Sequence, residues 1–227
     1  MVAPARIAGR GHRSRATDRV RIMHLRRLTT STAVLAVLAL AGCSSDDPPL
    51  SLDGARNAAA KPNPSTCPLH LDTAAALSSH GVGTKITQDS VVVLKSKTDK
   101  PAGNPIAAQQ GGMSAIDATA GVYVDCGYKA SPGTLDVQVA ITPAKGAASL
   151  LGPELVRNAQ LSTTEATPLL ESPPGPGEVK IVSGTVAFGG IAVDGGNGAI
   201  LVTSALPDVR DDRLADITKT LVGQLRN

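Results

Sequence analysis

Apolar positions in this chain come in short runs with two distinct periods, separated by stretches dense in glycine, proline and small polar residues. Leu135, Val137, Val139 and Ile141 recur at every second position, which predicts a strand with these four side chains on one face. Residues 121–129 keep the same period, with Val122, Val124 and Cys126 on one side and Tyr123, Asp125 and Gly127 on the other. The turn Ser131-Pro132-Gly133-Thr134 joins the two into an antiparallel hairpin with one dry face and one wet face. Residues 91–94 form a β-branched run ending in Lys95 and Lys97, a third strand that leads into a polar loop over 98–112. Residues 179–186, 191–194 and 199–204 read as a meander, with a glycine-rich turn at 194–198 before its last strand.

Helical spacing appears in three places. Asp72 or Thr73 caps a short helix over 73–80 that Gly81 ends. Residues 147–151 and 154–160 read as two helical pieces, with Pro153 at the first position of the second, so a kink or break is expected there. The proline and glycine cluster at 173–177 separates them from the last sheet segment. The C-terminal helix begins near Asp208, with Asp211 and Asp212 opposing its dipole. Leu214, Ile217, Leu221 and Leu225 form its apolar stripe, while Arg213, Asp216, Lys219 and Thr220 face water. The order helix, strands, helix, strands, helix predicts an α+β domain over 66–227, an antiparallel sheet with helices on one face in two layers.

Composition narrows what such a domain does. Its aromatic side chains are Tyr123, Tyr128 and Phe188, with no tryptophan, so the core is built from Val, Ile, Leu and Ala. Stacking platforms for bases or sugars are nearly excluded.

The N-terminal segment carries an address. Arg26 and Arg27 precede residues 31–40, STAVLAVLAL, which hold no charge and end in Leu40-Ala41-Gly42-Cys43. This ending resembles the lipobox of bacterial lipoproteins. The resemblance implies that the Cys43 thiol receives diacylglycerol and that signal peptidase cuts between Gly42 and Cys43, leaving the protein lipid-anchored on the extracytoplasmic side of the cell membrane. Residues 23–42 are then the signal peptide, and its apolar run is shorter than the roughly 20 residues that span a bilayer. An ordinary secretory signal with a chance cysteine and an uncleaved anchor are the alternatives. Residues 1–22 hold six arginines and no apolar run, so they read as a mis-assigned extension with translation starting at Met23; an extended n-region from Met1 is the alternative. Residues 43–65, rich in Ser, Asp, Pro and Ala, read as the lipidated cysteine and a flexible tether.

Removing residues 1–42 reverses the charge. They hold eight of the 22 basic residues and one of the 19 acidic ones, which leaves 14 basic against 18 acidic and a net charge of −4. A nucleic-acid partner is therefore not expected.

Candidate chemistry is sparse. Cys67 and Cys126, in an oxidising compartment, read as a disulfide; a redox or metal pair is the alternative. Neither cysteine sits in a C-x-x-C spacing, and His70 and His80 complete no zinc pattern. The glycines form no phosphate-cradling loop, and no G-x-S-x-G, S-x-x-K set or H-E-x-x-H is present. No catalytic residue, cofactor or metal is assigned.

Thr66-Cys67-Pro68-Leu69 entering a helix, Asp125-Cys126-Gly127-Tyr128 in a strand and the amphipathic C-terminal helix together resemble small actinobacterial cell-envelope lipoproteins of unknown function with one disulfide. That resemblance covers residues 43–227 and implies a sheet-plus-helices fold like Mog1 and PsbP in outline, both binding or scaffolding modules. It brings no catalytic residues with it. The expected function is a membrane-anchored, non-catalytic module that binds an envelope protein or wall polymer. A carrier or sensor for an apolar small molecule is the alternative. A hydrolase requires His70 or His80 to meet a serine and a carboxylate.

Overall fold

The computed structural model describes residues 49–63 and 65–226. It contains a six-stranded, wholly antiparallel sheet in the order β1-β2-β3-β6-β5-β4. The strands are β1 (Ile86–Lys95), β2 (Val122–Ala130), β3 (Gly133–Thr142), β4 (Val179–Ser183), β5 (Val186–Ile191) and β6 (Asn197–Ser204). Two three-stranded meanders thus meet edge to edge where β3 pairs with β6, with Val139 opposite Ile200. The expected hairpin is in place, with Cys126 opposite Val137 and a cis Ser131–Pro132 bond in its turn. Gly133 there has φ +108°, and a Cβ on it would lie 2.6 Å from the Ala205 carbonyl oxygen.

Helices cover both faces of this sheet, where a single covered face was expected. On the inner face, which carries Cys126, lie α1 (Leu52–Ala60), α2 (Thr73–Ser79) and α7 (Asp211–Gln224). Leu214, Ile217, Leu221 and Leu225 of the C-terminal stripe are all buried there against Val137, Val139, Ile200 and Val202. On the outer face lie α5 (Ala147–Ala159) and α6 (Thr163–Glu171). Their Leu151 and Leu155 meet Phe188, Leu201 and Ala140. Every residue of β5 is buried, so this strand is an unbroken apolar run rather than an alternating one, as a strand covered twice must be.

Four segments differ from their sequence reading, the first being the meander: the expected strand over 179–186 turns at Gly184 into two, and the second of them, β5, takes the place of the strand expected over 191–194. The tether over 43–65 is corrected by α1. Ser51 caps this helix by accepting the Gly54 amide, and Leu52, Ala55 and Ala59, at i, i+3 and i+7, are buried. Leu50 is buried too, and its carbonyl accepts the Asp194 amide while Asp194 returns the bond to Leu52. The folded part therefore includes Pro49, which bridges Arg226. A stripe made mostly of alanine and small polar residues buries side chains yet carries little hydropathy contrast.

Next, α5 runs unbroken through Pro153 instead of splitting there, and Ser162 with Glu165 opens α6 with a reciprocal capping box. Finally, the polar loop over 98–112 holds α3 (Pro105–Gln110), with Asn104 as cap and proline in its first turn, and is followed by α4 (Ala115–Ala118), capped by Ser114. Among the described residues no helix is long and apolar enough to cross a membrane.

Candidate functional site

The outer face is covered unevenly. Helix α5 rests on β3, β5 and β6, and leaves the outer side of β1 and β2 open. The rows of that open half follow from the register: Leu94 beside Tyr123 and Ala140, then Val92 beside Asp125 and Gln138, then Ser90 beside Gly127 and Asp136. Tyr123, which the hairpin pattern assigned to its wet face, forms the floor of a groove with Leu94. Ile116 of α4 forms one wall and Leu150, Pro153 and Glu154 of α5 the other, around a volume of about 340 Å3.

Among the described residues the exposed large apolar side chains are Val92, Leu94, Ile106 and Met113, all between the start of β1 and the start of α4, and Leu94 lines this groove. Helix α3 buries none of its residues. Its neighbour α4 is tied down by Asp117. The Asp117 carboxylate accepts the Lys97 amide at 2.8 Å and the Ser114 and Ser96 hydroxyls at 2.8 and 3.2 Å. The Lys97 amide above all, then Ser114, holds its pKa below the ordinary carboxylate range.

Next to the apolar groove lies a cluster of half-buried acids. Asp125 has its pKa raised, chiefly because burial disfavours the charged form and then because Asp136 and Glu154 repel it. Asp136 is raised in the same way, by burial first and then by Asp89 and Glu154. Tyr123 is pushed up by burial first and then by the charge of Asp125. Gly127 makes room in this cluster, since a Cβ on it would sit 2.5 Å from Ser90 Oγ and 3.1 Å from Asp136 Oδ1. Arg157 pairs with Glu154, and Lys129 with Asp89.

The residues singled out from the sequence are distributed as follows. Cys67 and Cys126 are bonded to each other across 59 residues, with Cα atoms 5.8 Å apart, and pin the entrance of α2 to β2. Both are buried in the inner core. His80 Nε2 lies 2.8 Å from Thr220 Oγ1, on the inner-face helices. His70, at φ 58°, borders a shallow depression with Asp72, Gln88 and Tyr128. The lipidation residue Cys43, the cleavage site at Gly42 and Cys43, the signal peptide over 23–42 and the extension over 1–22 lie outside the described residues. Among the described residues no group of three or more His, Cys, Asp or Glu is placed to hold a metal ion.

Sequence reasoning missed the groove itself. Its one legible sign was Leu94, an apolar residue whose place in the period-two pattern puts it on the face opposite Val91 and Val93. Compared with models of known protein families, with curated proteins and with solved structures, the chain matches none.

Proposed function

We propose that this protein is a non-catalytic binding module, held on the extracytoplasmic side of the cell membrane by a lipid on Cys43, whose outer-face groove receives an envelope protein or wall polymer. The observation that carries the binding half is the groove lined by Leu94, Ile116, Tyr123, Leu150 and Pro153, in which Leu94 is left 48% exposed. An apolar groove left open to water favours a partner that covers it.

The anchoring half rests on Leu40-Ala41-Gly42-Cys43 and the uncharged run before it. The folded part comes close to that cysteine in sequence. Five residues separate Cys43 from Pro49, a reach of about 20 Å even when fully extended. Pro49 is bridged to Arg226, and Leu50 joins the inner-face core, on the face of the sheet opposite the groove. With two or three acyl chains such attachment is stable.

A carrier for an apolar small molecule is a second reading, favoured by the groove's volume of about 340 Å3, which lies within the usual range for ligand sites. Membrane fractionation combined with a photo-crosslinking residue at Leu94, at Ile116 or, as a control, at Lys219 on the water-facing side of α7 tests the proposal in intact cells. Adducts specific to Leu94 and Ile116, and release of the Cys43→Ala protein from the membrane fraction, are expected. Wild-type membrane levels of Cys43→Ala overturn the anchor. Equal adducts from all three positions overturn the groove. A small molecule retained in native mass spectra, with no adduct, establishes the carrier instead.

A further inference from the structure

In the acid cluster beside the groove Glu154 is paired with Arg157, while Asp125 and Asp136 have no ion pair among the described residues. The register sets Asp125 and Asp136 on one face of neighbouring strands, and the nearby cations are already engaged, Arg157 by Glu154 with 71% of its side chain exposed and Lys129 by Asp89 at the surface. A second, independent observation lies underneath. Gln138 is only 4% exposed, yet its Oε1 has no hydrogen-bond partner, while its Nε2 is turned 3.5 Å from Asp125 Oδ2. Exchanging the two amide atoms offers no relief, because Oε1 would then face the carboxylate. A buried carbonyl without a donor costs free energy, and this one belongs to the side chain that leans towards the acids.

We propose that Asp125, Asp136, Glu154 and Gln138 form the receptor for a lysine or arginine side chain, presented by a segment of a protein partner whose flanking apolar side chains lie in the groove over Leu94 and Ile116. The site supplies the carboxylate acceptors of Asp125, Asp136 and Glu154 and, beneath them, the unpaired Gln138 carbonyl. An ammonium brings three N–H donors and a guanidinium five, with no acceptor to be repelled. Half-buried carboxylates that repel one another gain most from a cation that arrives with its own desolvating surface, and the apolar groove next to them provides for that surface. A bare metal ion does not fit, since the carboxylates are not placed to coordinate one. Anionic membrane headgroups would be repelled. This deepens the binding reading above by naming the partner's chemistry, and it does not depend on the lipid.

The test uses the complete chain carrying Cys43→Ala, so that success or failure of anchoring leaves it untouched. Backbone amide NMR shifts are followed during titration with the peptide acetyl-Leu-Val-Arg-Leu-Val-amide, with its citrulline and glutamate counterparts, and with phosphatidylglycerol vesicles. The arginine peptide is expected to shift the amides of Leu94, Ile116, Tyr123, Asp125 and Glu154. The neutral citrulline peptide should bind about tenfold more weakly or worse, and the glutamate peptide should leave these amides unmoved. In Asp125→Asn/Glu154→Gln the arginine-to-citrulline preference should collapse to about twofold or less, with the unfolding midpoint showing that the fold persists. Equal responses to arginine and glutamate peptides, shifts confined to other surfaces, or an unchanged preference in the double variant each overturn the proposal. Vesicles that shift the same amides overturn it in favour of a lipid surface. Failure of this titration alongside specific Leu94 adducts in cells would retain the binding module and discard only its cationic partner.

Discussion

Leu50→Ala separates a tether from a structural element most sharply. Leu50 is 3% exposed and packs in the inner-face core, and the backbone around it exchanges two 3.0 Å hydrogen bonds with Asp194. Alanine removes three carbons from that core. At about 0.8 kcal/mol per buried carbon the transfer loss is about 2.4 kcal/mol, and the space left behind raises the total to about 3 kcal/mol, inside the usual range for Leu→Ala. For a domain of this size each kcal/mol lowers Tm by about 2–4 °C, so a fall of about 6–12 °C is expected. The assay is thermal and urea unfolding of the purified full-length chain, with Ala60→Ser on the exposed side of α1 as the control. A substitution in an unstructured tether should stay within about 0.5 kcal/mol of wild type. If Leu50→Ala unfolds at the same midpoint as Ala60→Ser, residues 49–60 are not part of the domain and the reasoning fails.

Two further outcomes follow from the interior. Replacing both Cys67 and Cys126 by alanine opens a 59-residue separation, which the chain-entropy model values at about 4 kcal/mol; the urea midpoint should drop accordingly, and should respond to reductant only in the wild type. Asp125 titrates above its ordinary value of 3.8 because burial favours the neutral form. The folded state therefore holds the proton more tightly, and this stabilisation is complete below pH 3.8 and is lost as pH rises through the raised value. Asp125→Asn should consequently be more stable than wild type at pH 7, with the difference vanishing in strong acid; a variant less stable at neutral pH and unchanged in its pH slope would contradict the assigned cause.

Local chemistry was enough for much of the fold. Val122, Val124 and Cys126 needed only the period of a strand to declare their common face, and Leu214, Ile217, Leu221 and Leu225 only the period of a helix. The disulfide was readable because a sequence with one cysteine pair beyond Cys43 leaves few partners for a thiol. Helix α1 was not, since Ala55 and Ala59 are buried completely or nearly so while looking neutral in hydropathy. Helix α6 was announced by Ser162 and Glu165, a capping signal outweighed by the prolines on either side.

What the chain settles by itself is the β2–β3 hairpin, the amphipathic C-terminal helix and the cysteine pair, because each depends on neighbours a few residues apart or on thiol chemistry. The acid cluster was also visible in part, as Asp125 and Asp136 on the wet side of a hairpin. Only the tertiary structure decided that this wet side is half covered. Helix α5 crosses β3, β5 and β6 but stops short of β1, so Leu94, Ile116, Tyr123, Leu150 and Glu154 meet around one groove although they lie up to 60 residues apart in sequence. No period along the chain encodes that meeting, since it depends on how far one layer extends over another.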